Sequence, residues 1–341
     1  MTTPRDAGYH MPAEWAPHAA TWIAWPSHGE LWTQHLAPVR AAFARLVSAI
    51  AQGETAEVLV PNETLEGVAR QALPERNVRL RRVPFGDIWL RDTAPLFLVG
   101  DGGAAAVVCF DFNGWGGKYV LEHDNHVARR IAAIAGVPSF TTPFVLEGGA
   151  IDVDGEGSVL ATRQCLLNPN RNGVVGERDV ETVICGSLGA EKVLWLGSGL
   201  LNDHTDGHVD TVARFVRPGV VVLMEPRSID DPNRGVLRDI AHDVEALRDA
   251  RGRPVEVVRI PSPGRVLDRD GKIMPASYVN FYVSNASVVV PTYGAPWDDE
   301  AVELLGALFP ERRALGIDAR ALLTGGGALH CITQQQPTVN P

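Results

Sequence analysis

The sequence predicts a single α/β domain assembled from a repeated unit, and three observations carry that prediction. Amphipathic helical patterns alternate with short β-rich runs along the whole chain. Four of the helical patterns recur at intervals of about 55–60 residues, each interval holding two or three strand patterns. No linker or low-complexity stretch divides the 341 residues, so one domain over 1–341 is expected. Periodicity alone leaves two architectures open: a propeller-like ring of repeated strand and helix units, and a general α/β sandwich.

The elements follow from spacing. In LAPVRAAFARLVSAIAQG the residues Leu36, Val39, Phe43, Leu46, Val47 and Ile50 keep helical periodicity, and Gly53 marks the stop. Further helices are predicted over 122–136, 177–189, 236–250 and 298–309. Strands are predicted in AEVLVP, PLFLVG, AAVVCFDF, KVLWLG, GVVVLM, VEVVRI and SVVVPTYG, where β-branched and aliphatic residues run between turn formers.

Composition narrows the function. Apolar residues make up 45% and charged residues 21%, enough apolar material for a large core. The formal charge of −10 argues against nucleic acid, whose phosphates need clustered Lys and Arg. No apolar run reaches the roughly 18–20 residues that span a bilayer, so no membrane partner is expected. The opening MTTPRDAGYHMPAEW lacks the layout of a signal peptide, and four scattered cysteines make no disulfide framework. A reducing cytoplasm is therefore the expected location.

One cysteine stands apart. Cys109 and Cys185 lie in apolar periodic runs, and Cys165 is read as a structural residue ending a strand. Cys331 follows three glycines in TGGGALHCITQQQP, where absent side chains would let a substrate approach the backbone. A thiol needs a base to become a useful nucleophile. The candidate is His208 in NDHTDGHVDTVARF, which on a strand would share a face with Asp210. His204, His208 and Asp210 also form a candidate metal set, although Asp206 and Gly207 disfavour the helix on which such pairs usually sit. Acidic groups recur in turns marked by Gly or Trp: Asp87 and Asp92 flank Trp89 in FGDIWLRDTAP, and Glu147 precedes two glycines in PFVLEGGAIDVDG. Read singly, each is equally an ordinary solvated carboxylate. Trp115, in FNGWGGKY, would be costly if exposed with nothing to cover it.

Together these motifs, with MPAEWAPHAATWIAWP and CLLNPNRN, resemble the agmatine deiminase family of guanidine-modifying enzymes, the pentein superfamily. The resemblance implies a five-bladed α/β propeller of ββαβ units. It implies hydrolysis of agmatine to N-carbamoylputrescine and ammonia, a step towards putrescine, through an amidino-cysteine intermediate and without cofactor or metal. Carried over by motif, Cys331 is the nucleophile, His208 the general acid/base and Glu147 the acid that orients it. Asp92 and Asp210 are the carboxylates that hold the guanidinium, with Trp89, Trp115 and His204 as further substrate contacts. Two departures touch the substrate's far end: His204 stands where many members have an acid, and Ala328 where many have Asn. The partner expected is a small cationic guanidino compound, and a homodimer is an assembly the resemblance leaves open. The rival readings are another guanidine or peptidylarginine as substrate, an amidinotransferase, a metal hydrolase on His204 and His208, and a non-catalytic guanidine-binding protein.

The residue types suit the chemistry. A guanidinium is a planar cation whose N–H donors point outward, so two carboxylates can clamp it. Each pair contributes up to about 4 kcal/mol at 4 Å and an effective dielectric near 20. No oxyanion forms on a carbon that carries only nitrogens, so acids can surround the thiol where an acyl hydrolase would need donors.

Overall fold

In the computed structural model, which describes residues 2–100 and 102–339, the chain folds into five small sheets with helices packed against them, an α/β fold. Four sheets repeat one sequence of events, an antiparallel strand pair followed by a helix and a third strand parallel to the second. They are Leu96–Gly100, Ala105–Asp111, Asp124–Ala135, Ser139–Val145; Ile151–Val153, Ser158–Thr162, Glu177–Leu188, Lys192–Leu196; Ala213–Arg217, Val220–Glu225, Arg234–Ala246, Glu256–Pro261; and Tyr282–Val283, Ser287–Thr292, Asp298–Leu308, Arg313–Asp318. The helix spacing seen in the sequence is therefore the spacing of one structural unit.

The remaining sheet closes the set from both ends of the chain. Thr333–Pro337 pairs antiparallel with His18–Ala24, which leads through helix Leu36–Ile50 to the parallel strand Thr55–Val60. A helix at Glu63–Ala72 and a strand at Val78–Arg82 extend this sheet. That extra pair explains why the first predicted helix stands farther from the second than the later intervals suggest.

The predicted helices form with small changes of boundary. The first ends at Ile50, before Gly53, and the fourth begins at Arg234. Gly136 and Gly189 close two others in the left-handed region, with φ of 67° and 63°, where an L side chain would be strained. Val39, Phe43, Leu46, Val47 and Ile50 are fully buried, each such side chain contributing about 1.5–3 kcal/mol. Helix Glu63–Ala72 went unpredicted: its apolar stripe of Leu65, Val68, Ala69 and Ala72 is short and half alanine, and only Ala69 of it is buried. Strand Thr333–Pro337 was masked by composition: TQQQP reads as a polar loop, yet Gln334 and Gln335 are buried. Its proline sits on an edge strand, where a missing N–H is tolerated. Among the described residues, no helix is long and apolar enough to cross a membrane.

Candidate active site

The connections between strands supply the site. Asp92 lies on a one-turn helix, Leu90–Thr93, between Val78–Arg82 and Leu96–Gly100. Glu147 follows strand Ser139–Val145 and heads a 3₁₀ turn at Gly148–Ala150. His208 and Asp210 are not on a strand, as the sequence had suggested. They sit at the head and in the middle of a 3₁₀ turn, Val209–Thr211, whose tight winding still brings both inward. Gly149 shows how closely these groups converge. A Cβ there would lie 2.6 Å from His208 Nδ1, 3.0 Å from Asp92 Oδ1 and 3.1 Å from Asp210 Oδ2, so any side chain would be expelled.

Cys331 is buried, its Sγ 3.7 Å from Asp210 Oδ2, with the amide N–H of Asn280 donating to the sulfur at 3.2 Å. The backbone N–H of Arg91 donates to the carbonyl of Cys331 at 3.1 Å, tying the helix of Asp92 to the thiol. The triple glycine lines the cavity beside the thiol, as expected of a backbone open to close approach, and it also makes room for packing. A Cβ on Gly325 would meet Trp32 at 2.5 Å and Trp89 at 2.8 Å, and one on Gly327 would meet Trp89 at 2.7 Å and Cys331 Sγ at 3.0 Å. The glycines make room for two indoles and the thiol. The thiol sits on a packed wall, not on a flexible tip.

Above the thiol lies a cavity of about 450 Å³ lined by Trp32, Asp87, Trp89, Asp92, Trp115, Tyr119, His204 and Cys331 among others. Asp87 is buried, each of its oxygens accepting an indole N–H, from Trp32 at 3.0 Å and from Trp89 at 2.8 Å. His204 is half-buried and stacks on Tyr119 with ring centroids 5.9 Å apart. Trp115 is buried, which avoids the cost that exposure would carry. Its ring packs edge-on against Phe112, and its N–H donates to Asp92 Oδ2 at 2.8 Å.

Burial dominates the electrostatics. It drives the Asp92 carboxyl well above the usual range, and the charges of Asp210 and Glu147 push the same way. Burial likewise raises the Cys331 thiol well above its ordinary value, reinforced by Asp210 and Asp92. It lowers His208 to about 3 against the pull of Asp210, so the imidazole is neutral. Burial opposes ionisation of Asp210 too, but the hydrogen bond and charge of His330 outweigh it and hold that carboxyl below the usual range. Burial thus favours the neutral forms of the Cys331 thiol, the His208 imidazole and the Asp92 carboxyl, while His330 favours the carboxylate of Asp210. Both ring nitrogens of His208, Oδ1 of Asp210 and Oε2 of Glu147 are buried without a hydrogen-bond partner. Such polar groups are costly unless a ligand satisfies them.

The geometry departs from expectation at three points. Glu147 does not hydrogen-bond His208; Arg171 takes its Oε1 at 2.7 Å and also pairs with Asp206 at 2.6 Å. The carboxyl stays close, since ligating atoms of Glu147, Cys165 and His208 all lie within 4.8 Å of one another. Among the described residues this is the group close enough to share an ion, and not His204, His208 and Asp210. Arg171 beside Glu147 opposes a cation there. Cys165 does not end a strand: it lies on a one-turn helix, Arg163–Leu166, behind His208, where burial and then Glu147 raise its thiol well above the usual value.

Sequence reasoning missed a second layer. His330 meets Asp210 Oδ2 through Nδ1 at 2.7 Å and Glu14 Oε2 through Nε2 at 2.8 Å. Glu14 also takes Arg91 at 3.0 Å and Arg214 at 2.9 Å, and Arg214 reaches Asp152 at 3.1 Å. The available signal was adjacency: His330 and Arg91 are chain neighbours of Cys331 and Asp92. Asn280, in SYVNFYV, carried none.

Known proteins share this arrangement of chain. The model of the Porphyromonas-type peptidyl-arginine deiminase family matches residues 10–337. An agmatine deiminase of Stutzerimonas stutzeri is 41% identical, with 98% of this chain and 97% of that protein aligned, and one from Pseudomonas aeruginosa is 39% identical with the same coverage. An agmatine deiminase structure from Enterococcus faecalis superposes with a TM-score of 0.94 at 34% identity, covering 99% of this chain and 98% of that one. A C. jejuni agmatine deiminase with substrate bound gives 0.89 at 25% identity, covering 98% and 97%. With the family model spanning almost the whole chain and relatives this similar from end to end, the chain belongs to the Porphyromonas-type peptidyl-arginine deiminase family.

Proposed function

We propose that the chain is a single catalytic domain that hydrolyses agmatine to N-carbamoylputrescine and ammonia, acting on a C–N bond of a linear amidine. The observation that carries this reading is the set of unsatisfied buried polar atoms on His208, Asp210 and Glu147 grouped beside a buried thiol that lines the cavity. Relatives about 40% identical over nearly their whole length bear the name agmatine deiminase, which supports agmatine over other guanidines. The five sheets are read as the blades of a pentein propeller around the site.

The guanidinium lies between Asp92 and Asp210. Its charge makes the thiolate and the second carboxylate easier to form, so the proton of Cys331 passes to neutral His208 as the sulfur attacks the central carbon. His208 then returns that proton to the departing nitrogen, leaving ammonia and an amidino-cysteine. Water loses a proton to His208 and attacks the same carbon, and the carbon–sulfur bond breaks to release the ureido product. Asn280, donating to sulfur, stabilises the thiolate; Glu147, anchored by Arg171, offers a charge beside His208 when it turns cationic. The clamp holds the carbon still for attack. The chain beyond the guanidinium has the Trp32–Trp89 pair and the Tyr119–His204 stack as walls, and indole faces attract an ammonium.

The test is a screen of agmatine, arginine, arginine peptides and short guanidino compounds for ammonia and ureido product, with mass spectrometry of quenched enzyme. Turnover of agmatine with an amidino adduct on Cys331 is expected. No turnover of any guanidine would overturn the reading.

A further inference from the structure

We propose that His330 is a positioning residue of the guanidinium clamp, holding Asp210 so that Oδ2 is committed and Oδ1 is free to meet the substrate. The inference rests on the deiminase reading of the site. Asp210 Oδ2 accepts from His330 Nδ1 at 2.7 Å, while Oδ1 is buried with no partner. A carboxylate with one oxygen tethered has lost its freedom to turn, so the open oxygen keeps one direction.

The tether is itself fixed. Glu14 accepts from His330 Nε2 at 2.8 Å and is held by Arg91 at 3.0 Å, Arg214 at 2.9 Å and the backbone N–H of Val283 at 2.9 Å. All of these side chains are buried, and against that burial Arg214, then His330 and Arg91, hold the Glu14 carboxyl well below its ordinary value. His330 is also coupled to the nucleophile. Its backbone N–H donates to Asn280 Oδ1 at 3.1 Å, and the amide N–H of Asn280 reaches Cys331 Sγ at 3.2 Å. One residue therefore touches both partners of the reaction, the clamp carboxylate through its ring and, through its backbone N–H, the amide that meets the sulfur. Buried polar networks of this kind hold geometry when every member is satisfied.

The two ends of the ring can be separated by substitution. His330→Asn keeps an amide donor near the position of Nδ1, in reach of Asp210, and gives up Glu14. His330→Gln keeps a donor near Nε2, in reach of Glu14, and gives up Asp210. Two readouts apply: kcat and KM for agmatine, and the rate at which 2-chloroacetamidine, a cationic amidine, alkylates Cys331 relative to neutral iodoacetamide. The alkylation ratio reads the clamp without turnover, so a failure of the deiminase reading leaves it intact as a test.

His330→Gln is expected to lower kcat/KM about 100-fold and the amidine preference about tenfold, with His330→Asn within about fivefold of wild type in both. Glu14→Gln, which leaves His330 in place, should lower the amidine preference about threefold and serves if the His330 variants do not fold. A wild-type amidine preference in His330→Gln would overturn the proposal. So would equal losses in both His330 variants tracking their thermal midpoints, or an unchanged preference in Glu14→Gln.

Discussion

Trp115 donates its indole N–H to Asp92 Oδ2 at 2.8 Å, so the aromatic residue of a glycine-rich loop is part of the clamp's electrostatics. The loop is shaped for this contact: Trp115 itself has φ of 53°, and a Cβ on Gly116 would lie 2.3 Å from Asn170 Nδ2. The bond favours the ionised form of a carboxyl that burial otherwise keeps protonated. Trp115→Phe keeps the ring and removes the donor. Its kcat/KM at pH 7 should fall about 10- to 100-fold, from about 1.5–3 kcal/mol of lost hydrogen bonding to a charged group. The pH profile should move to higher pH, and an unchanged profile would contradict the assignment.

Substrate binding should release protons. Asp92 is held well above the usual range in the empty site, and a cation beside it favours the carboxylate. Agmatine affinity for Cys331→Ser should therefore rise with pH, by up to about tenfold per unit for one proton released. Calorimetry in buffers of different ionisation enthalpy counts the protons directly. A flat or opposite dependence would mean that Asp92 is already ionised without substrate.

Loss of either clamp charge should be severe. Asp92→Asn and Asp210→Asn are each expected to lower kcat/KM by two to four orders of magnitude, corresponding to about 3–5 kcal/mol. Cys331→Ala should lose about a thousandfold or more with the fold intact. Replacement of Cys109, Cys165 or Cys185 by Ser should move the thermal midpoint more than turnover. Steady-state kinetics beside thermal melts separates the two groups.

His204 bears on the far end of the substrate. Burial lowers its pKa, with Lys272 and Lys118 adding to the effect, so it faces the cavity as a neutral ring. His204→Asp should lower KM for agmatine and raise it for a guanidino acid of similar length, measured near pH 8. No change in either KM would leave the ammonium to the indole faces of Trp32 and Trp89.

His208 should also leave a mark on stability. Its pKa is about 3 in the folded chain against an ordinary value of 6.5, so between these limits the unfolded chain binds the extra proton. Stability present above pH 6.5 is lost as pH falls towards 3, at up to about 1.4 kcal/mol per unit. Denaturant midpoints for His208→Asn should fall less steeply between pH 7 and 5 than those of wild type. Equal slopes would show that the folded chain protonates His208 as readily as the unfolded one.

What could be read from the residues follows burial. Runs such as GVVVLM and SVVVPTYG become strands because a helix covers one face and the interior the other, and continuous apolar sequence is what two buried faces require. Cys331 and His208 stood out beside glycines, whereas Asp92, Asp210 and Glu147 were legible only through the resemblance of their motifs to a known family, and the structure gathers all five. Their supports were not. Glu14 lies 316 residues from His330, and nothing local distinguishes its carboxylate from a solvated one. The strand Thr333–Pro337 stayed hidden because its glutamines work through side-chain amides, as when Gln335 accepts from Arg91 at 2.8 Å and Gln336 accepts from Trp22 at 2.9 Å.

The pairing of Thr333–Pro337 with His18–Ala24 has a consequence during synthesis. A nascent chain halted before Thr333 lacks the strand that follows the thiol, and its waiting partner strand presents an unpaired edge. Such a fragment already carries the thiol, the acids and the imidazole, and what it lacks is the strand pairing that fixes the segment of Cys331 to the start of the chain.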